Sequence, residues 1–116
     1  MLFLTFQLWF GHALADFALQ NDYVAKAKNP NEPLGKGIWG WPLFAHGLIH
    51  GGIVTYMTGF LLLGIMEVVA HCLIDYAKCV GWFGQHPRSY HIDQALHYGL
   101  KVIWAWIAVV YTTSLY

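Results

Sequence analysis

The chain has 116 residues, which is enough for one domain. Hydrophobic residues make up 58% of it and charged residues only 10%, whereas a soluble domain averages about 25% charged. Six Lys and Arg residues balance six Asp and Glu residues. The chain therefore lacks the net positive charge that would indicate nucleic acid as a partner. This composition disfavours an ordinary soluble enzyme and is typical of a protein that meets lipid.

The hydropathy pattern predicts four helices, at about residues 2–20, 42–57, 60–80 and 90–113. The first segment lacks the basic start of a signal peptide and is interrupted by His12, so we expect a retained helix. The apolar run from 42 to 80 is too long for one crossing. Its expected break lies near Thr58–Gly59, with Gly64 as the alternative. Residues 1–116 are therefore predicted to form a single all-α domain, a polytopic four-helix transmembrane bundle.

The loops of this predicted bundle differ in charge. The basic side chains concentrate in the loops at 21–41 and 81–89, while the termini and the second connection carry no charged side chain. By the positive-inside rule, the two basic loops are cytoplasmic and both termini lie outside. Trp39 and Trp41, at the end of the longer loop, suit a membrane–water interface.

Each predicted helix carries polar side chains four residues apart, a spacing that places them on one helix face. Ionisable groups inside a membrane helix are costly and usually face the bundle interior at a functional site. The pairs are His12/Asp16, His46/His50, Glu67/His71 and Asp93/His97, and Asp75 extends the third. In the predicted topology they lie in the cytoplasmic half, except Glu67, which lies about one turn deeper. We therefore expect them to converge on one centre.

Imidazole nitrogens and carboxylate oxygens are ordinary ligands for zinc and other divalent metals. The predicted metal ligands are His12, Asp16, His46, His50, His71, Asp75 and His97. Glu67 and Asp93 are predicted to act as the general base or as further ligands. Because this set exceeds the needs of one tetrahedral ion, the sequence leaves open whether one ion or two ions bind. Zinc is the expected metal.

Other polar side chains of the helices are expected to support this centre. Gln20, Gln94, Lys78 and Lys101 are predicted to orient the ligands or to balance their charge. Four interior carboxylates against Lys78 and Lys101 leave an excess of two negative charges when the histidines are neutral. Buried charge must be paired, coordinated or neutralised. Either bound metal or protonation would remove the excess.

The polar motifs stand in a defined order over nearly the whole chain. They are His12-x-x-x-Asp16-Phe17-x-Leu19-Gln20, His46-x-x-x-His50, His71-x-x-x-Asp75-x-x-Lys78 and Asp93-Gln94-x-x-His97. In these motifs the chain resembles a family of small bacterial and phage membrane proteins known only as a domain of unknown function. The resemblance implies a four-helix integral membrane protein with a common polar centre, in a bacterial inner membrane or, for a phage protein, the host cell membrane. In hydropathy and His/Asp usage only, the chain is similar to membrane-bound metal-dependent hydrolases.

The favoured hypothesis is a membrane-embedded, metal-dependent hydrolase. A divalent ion would activate water and polarise a carbonyl or phosphoryl oxygen. The segment 21–41 could cover a cytoplasmic mouth through which a lipid headgroup or other amphiphile enters. The expected partners are the lipid bilayer and such a substrate, and a homo-oligomer stays open. The alternatives are a proton or ion transporter or channel, which would need polar residues through the full membrane depth, and a non-catalytic protein whose polar core sets helix register.

Overall fold

A computed structural model describes residues 1–115 of the chain. The described part is all-helical and contains no strand. Its α-helices are α1 (Leu2–Ala13), α2 (Asp22–Ala27), α3 (Gly40–Thr58), α4 (Leu61–Cys79) and α5 (Arg88–Ser114). The four long helices form a bundle, and α2 lies within the segment predicted as a loop. An all-α helical bundle is the part of the predicted architecture that the structure confirms.

The first predicted helix, at 2–20, is not one regular α-helix. After α1 the chain continues as a π-helical segment, Leu14–Ala18, which contains Asp16. A π-helical turn inserts an extra residue and rotates the side chains that follow it, and such turns are frequent at functional sites. Asn21 then caps α2, accepting a hydrogen bond from the backbone N–H of Val24 at 2.9 Å.

The turn between α3 and α4 lies at Gly59, next to the expected break. Gly59 has a φ of +77°, a left-handed conformation that glycine adopts without steric cost and that commonly ends a helix. The alternative position for the break was Gly64, which instead lies inside α4. There it meets Gly51 of α3, and a Cβ on either glycine would collide with backbone atoms of the other. These two glycines therefore let α3 and α4 approach closely.

The interior of the bundle divides into two parts of opposite character. One part is apolar and consists of Leu8, Val54, Leu63, Trp104, Ala105 and Ala108. The other part consists of histidines, carboxylates and lysines that come from every long helix and from the residue after α2. A bundle core is normally apolar, because unpaired polar groups are costly to bury. The polar part therefore requires a specific account.

The prediction of four membrane-spanning helices has support at one helix. Within residues 1–115, α5 is long and apolar enough to cross a membrane by length and composition, and this is weak support when it stands alone. The predicted orientation of the loops and termini stays a prediction.

Candidate metal centre

The polar part of the interior is closely packed and almost completely removed from solvent. Its histidines and its acids other than Asp16 are 2% exposed or less, and the Asp16 side chain is 10% exposed. The buried polar residues here are His12, Lys28, His46, His50, Glu67, His71, Asp75, Asp93, His97 and Lys101. The structure thus brings together the ionisable residues that the four-residue spacing singled out on separate helices.

Asp16 lies where three helices meet, with imidazoles of α1, α3 and α4 around it. Its Oδ1 is 3.2 Å from His46 Nε2, 3.0 Å from His50 Nε2 and 3.9 Å from His71 Nε2. Its Oδ2 is 3.4 Å from His12 Nε2. Asp16, His46, His50 and His71 can each direct one ligand atom to a common point, since these atoms all lie within 4.8 Å of one another. We call these four residues the Asp16 centre.

A second acidic group adjoins the Asp16 centre on the side of α5. His97 Nε2 lies 3.1 Å from Asp75 Oδ1 and 3.4 Å from Asp93 Oδ1. Asp75 Oδ2 is in turn 3.7 Å from the Nε2 atoms of both His46 and His71. Asp75, Asp93 and His97 also satisfy the distance requirement for a metal site. We call these three residues the Asp75 group.

The imidazole rings of both groups form one continuous cluster. His71 stacks between its neighbours, with ring centroids 3.6 Å from His50 and 4.1 Å from His97. His46 packs against His50 at 4.7 Å, and His12 lies 5.1 Å from His97. Each of the five interior histidines therefore contacts at least one other, and together they form one connected cluster.

Several polar atoms in this cluster have no hydrogen-bond partner although they are buried. They are His12 Nδ1, Gln20 Oε1, His50 Nδ1, His71 Nε2, Asp93 Oδ1 and His97 Nδ1. An unsatisfied buried polar atom costs about 1–3 kcal/mol, and a functional role or an ion is a common explanation. His71 Nε2 is the most informative case, because it is directed toward the carboxylates of Asp16 and Asp75. It fits the requirement for a ligand atom.

Glu67 lies beside the Asp16 centre and is fully buried. Its Oε1 accepts from Lys101 Nζ at 2.5 Å and contacts His71 Nδ1 at 3.3 Å, while its Oε2 accepts from Trp104 Nε1 at 2.6 Å. Both oxygens are therefore engaged by groups of α4 and α5. This environment offers Glu67 no free oxygen with which to accept a proton from a substrate.

The lysines of the interior pair with its carboxylates one to one. Lys101 pairs with Glu67, Lys28 with Asp75 at 2.5 Å, and Lys78 with Asp93 at 2.8 Å. Asp16 is the remaining interior carboxylate of the described chain, and it has no lysine partner. Four carboxylates against three lysines leave one excess negative charge with neutral histidines, rather than the two expected without Lys28.

Lys28 belongs to the site, although the sequence analysis did not place it there. It follows α2 in the segment predicted as a cytoplasmic loop, where it is one of the basic residues on which the predicted orientation depends. Instead its side chain is 6% exposed and its ammonium group reaches the Asp75 carboxylate. Lys26 and Lys36 of the same segment are exposed. No local signal separates Lys28 from these two lysines.

Trp104 also belongs to the site without having been predicted there: it packs in the apolar part of the interior, and its indole Nε1 donates to Glu67 Oε2. The supporting residues predicted from sequence take distinct positions. Gln94 Nε2 donates to Asp16 Oδ2 at 2.9 Å, and Gln94 Oε1 lies 3.2 Å from His12 Nε2. Gln20 donates to the backbone oxygen of Asp16 at 3.3 Å rather than to a ligand side chain. Lys78 and Lys101 both balance charge.

Comparison with known proteins gives a family but no characterised relative. No curated protein and no solved structure matches the chain. Residues 4–116 match the family described as "Protein of unknown function (DUF3307)". The family suggested by the order of the His and Asp motifs is thereby confirmed as a domain of unknown function. The chain belongs to the DUF3307 family.

Proposed function

We propose that this protein is a membrane-embedded hydrolase that uses one divalent ion, with zinc as the favoured metal, on a lipid or other amphiphilic substrate. One observation carries the proposal. Within the described interior, the Asp16 carboxylate has no lysine partner. The Nε2 atoms of three histidines lie within 3.9 Å of its Oδ1, those of His46, His50 and His71. Three imidazoles and one carboxylate are a ligand set that suits zinc.

The charges of the interior favour an ion at the Asp16 centre. Burying a carboxylate without a compensating charge is costly. Each of the other three carboxylates has its own ammonium partner, so the unmet demand for positive charge falls on Asp16. A bound cation would supply it there, and neutral imidazoles are the form that binds metal.

The pairing of carboxylates with lysines also favours one ion over two. The Asp75 group has a suitable shape for metal, but the carboxylates of Asp75 and Asp93 are already held by Lys28 and Lys78. A second ion would have to compete with these two ammonium groups for the carboxylates. We therefore assign the ion to Asp16, His46, His50 and His71, and we assign His12 and Gln94 to orienting Asp16.

The distribution of exposed side chains supports a place in a membrane. Large apolar side chains are exposed along α1, α4 and α5, among them Leu2, Phe3, Phe6, Leu61, Leu62, Ile65, Val69, Leu73, Ile103 and Trp106. Exposed Asp, Glu, Lys and Arg residues of the described chain are confined to positions 22–36 and to Arg88. Large exposed apolar patches mark sites that contact lipid or a partner. In this proposal the charged end faces the cytoplasm.

Residues beside the Asp16 centre suit proton transfer. The four protein ligands would fill a tetrahedral shell, so water or substrate would have to enter as a fifth ligand. With that position open, a bound divalent ion would polarise a carbonyl or phosphoryl oxygen and would make water more acidic. Asp93 Oδ1 is buried and lacks a hydrogen-bond partner, and it lies 3.4 Å from His97 Nε2. We assign the general base to Asp93 acting with His97. We do not assign it to Glu67, because both oxygens of Glu67 are occupied.

Proton or ion transport is the second candidate, and the continuous contact of the five imidazole rings favours it. Histidine and carboxylate chains of this kind relay protons in membrane proteins. The apolar part of the interior, with Leu8, Val54 and Leu63, argues against a path through one chain. A third reading, a polar core that only sets helix register, leaves His71 Nε2 without a role.

Metal analysis of protein purified without chelator tests the proposal. We expect about one divalent ion per chain, as four protein ligands imply. His50→Ala should lose the ion, whereas His91→Ala, which changes an exposed histidine, should retain it. Absence of metal in the wild type, together with failure to rebind zinc, would contradict the metal centre. Metal-dependent release of a soluble headgroup from phospholipid vesicles, lost in His50→Ala, would support hydrolysis; metal-dependent proton flux without product would support transport.

A further inference from the structure

Glu67, Lys101 and Trp104 form a buried group that the proposed reaction does not use. Glu67 is on α4 and the other two are on α5, one helical turn apart. Lys101 is 1% exposed and Trp104 is 5% exposed. Lys101 and Trp104 each donate to a different oxygen of Glu67, so the carboxylate is held at both ends. A carboxylate held at both oxygens can in turn fix the orientation of a further side chain that it contacts.

The next contact of Glu67 is His71, one turn along the same helix. Glu67 Oε1 lies 3.3 Å from His71 Nδ1. An ionised carboxylate is only an acceptor, so His71 Nδ1 must carry the proton in this hydrogen bond. A neutral imidazole has one N–H, and Nε2 then bears a lone pair. His71 Nε2 is the buried atom that lacks a partner and points toward Asp16 and Asp75.

We propose that Glu67 is a positioning residue, which fixes the tautomer and the ring orientation of His71 so that Nε2 faces the Asp16 centre as a ready metal ligand. The inference rests on the proposed metal centre. It assigns Lys101 and Trp104 to holding the carboxylate, and it replaces the predicted role of Glu67 as a general base. Carboxylates that accept the second N–H of a ligand histidine raise its basicity and orient it, and their loss typically lowers metal affinity about 10–100-fold.

Two double variants isolate the acceptor atom from the charge. Removing Glu67 alone would leave the Lys101 ammonium buried without a partner, which is strongly destabilising. Glu67→Met with Lys101→Met removes the ion pair as a unit and leaves His71 Nδ1 without an acceptor. Glu67→Gln with Lys101→Met also removes both charges but keeps a carbonyl oxygen that can accept from His71. The two proteins therefore differ at one position, Met or Gln at 67.

Two measurements follow the tautomer and the affinity separately. In metal-free wild type, ¹⁵N NMR of the imidazoles should show His71 protonated at Nδ1 and bare at Nε2. The Met/Met protein should lose this preference and bind zinc about 10–100-fold more weakly in competition with a chelator. The Gln/Met protein should keep both the tautomer and most of the affinity. Equal tautomers and equal affinities in the two double variants would overturn the role of Glu67.

A milder pair of variants serves if the double variants do not fold. Trp104→Phe removes the donor to Glu67 Oε2, while Trp106→Phe changes an indole that is 56% exposed. Only Trp104→Phe should weaken zinc binding; equal affinity in both proteins would overturn the proposal. If the wild type binds no metal, the metal centre fails. The NMR measurement on metal-free wild type still decides the tautomer, and a His71 protonated at Nε2 would overturn the positioning role by itself.

Discussion

Glu67 and Asp16 are both interior carboxylates, yet the protein satisfies them in opposite ways. Glu67 holds a lysine ammonium and an indole N–H within 2.6 Å. Asp16 has imidazoles at 3.0–3.4 Å and the amide of Gln94 at 2.9 Å, and no lysine. A buried carboxylate with a permanent cation is complete in itself. One surrounded by neutral imidazoles still lacks a compensating positive charge, which a cation from outside could supply.

Asp75 and Asp93 lie between these two extremes. Like Asp16, they belong to a group with the distances of a metal site. Like Glu67, however, each of them is paired with a lysine. The comparison therefore gives a rule for this interior: the position of a lysine decides which carboxylate is free to bind metal. The following variants test the rule by changing the cation or the carboxylate of one pair at a time.

The largest effect is expected for Lys101→Met alone. This change leaves the Glu67 carboxylate buried with no compensating charge, and breaking a buried ion pair on one side costs about 3–5 kcal/mol. We expect a large loss of thermal stability in detergent. Lys36→Met, at an exposed lysine, is the control and should unfold like the wild type. Equal stability of the two variants would show that Glu67 does not depend on Lys101.

A smaller effect, on metal rather than on folding, is expected for Asp16→Asn. Because Asp16 has no buried ammonium partner, neutralising it leaves no unpaired charge, and the bundle should stay folded. Residues that only support a ligand typically contribute up to about 100-fold, so loss of a charged ligand should weaken zinc binding by at least about 100-fold, roughly 2.7 kcal/mol. Asp22→Asn changes an exposed acid of α2 and should have no effect. Zinc affinity unchanged in Asp16→Asn would remove Asp16 from the centre.

The smallest expected effect on metal binding comes from leaving Asp75, like Asp16, without an ammonium partner, a change that also lowers stability because it breaks a buried ion pair. Lys28→Met removes the ammonium from Asp75 and leaves the Asp75 group with its metal-ligand geometry. We expect a second, weaker zinc ion, which raises the content from about one to about two per chain at high zinc. Lys26→Met, at an exposed lysine of the same segment, should stay at about one. No difference between these variants would mean that Lys28 does not exclude metal from Asp75.

Much of the centre could be predicted from sequence because its signal is local. A four-residue step places two side chains on one helix face whatever the rest of the fold does. His12/Asp16, His46/His50 and Asp93/His97 each carry this signal. Their burial also follows, because ionisable side chains in an otherwise apolar membrane helix are costly to expose to lipid and usually face the bundle interior.

The remaining features depend on contacts between distant segments, and the sequence does not display them. Lys28 enters the site because of the path of residues 21–41, which no periodicity describes. The indole of Trp104 finds Glu67 across two helices, although its local pattern is that of an ordinary apolar residue. The π-helical segment at Leu14–Ala18 likewise has no recognisable marker in the sequence. The sequence left open whether one ion or two ions bind, because the choice depends on Lys28 holding Asp75.

Crystallographic anomalous scattering at the zinc edge, on wild-type protein supplied with zinc, tests the central claim most directly. We predict a single strong peak within coordination distance of Asp16, His46, His50 and His71, with Lys28 still on Asp75. A peak confined to Asp75, Asp93 and His97, or no peak in the interior at all, would contradict the account.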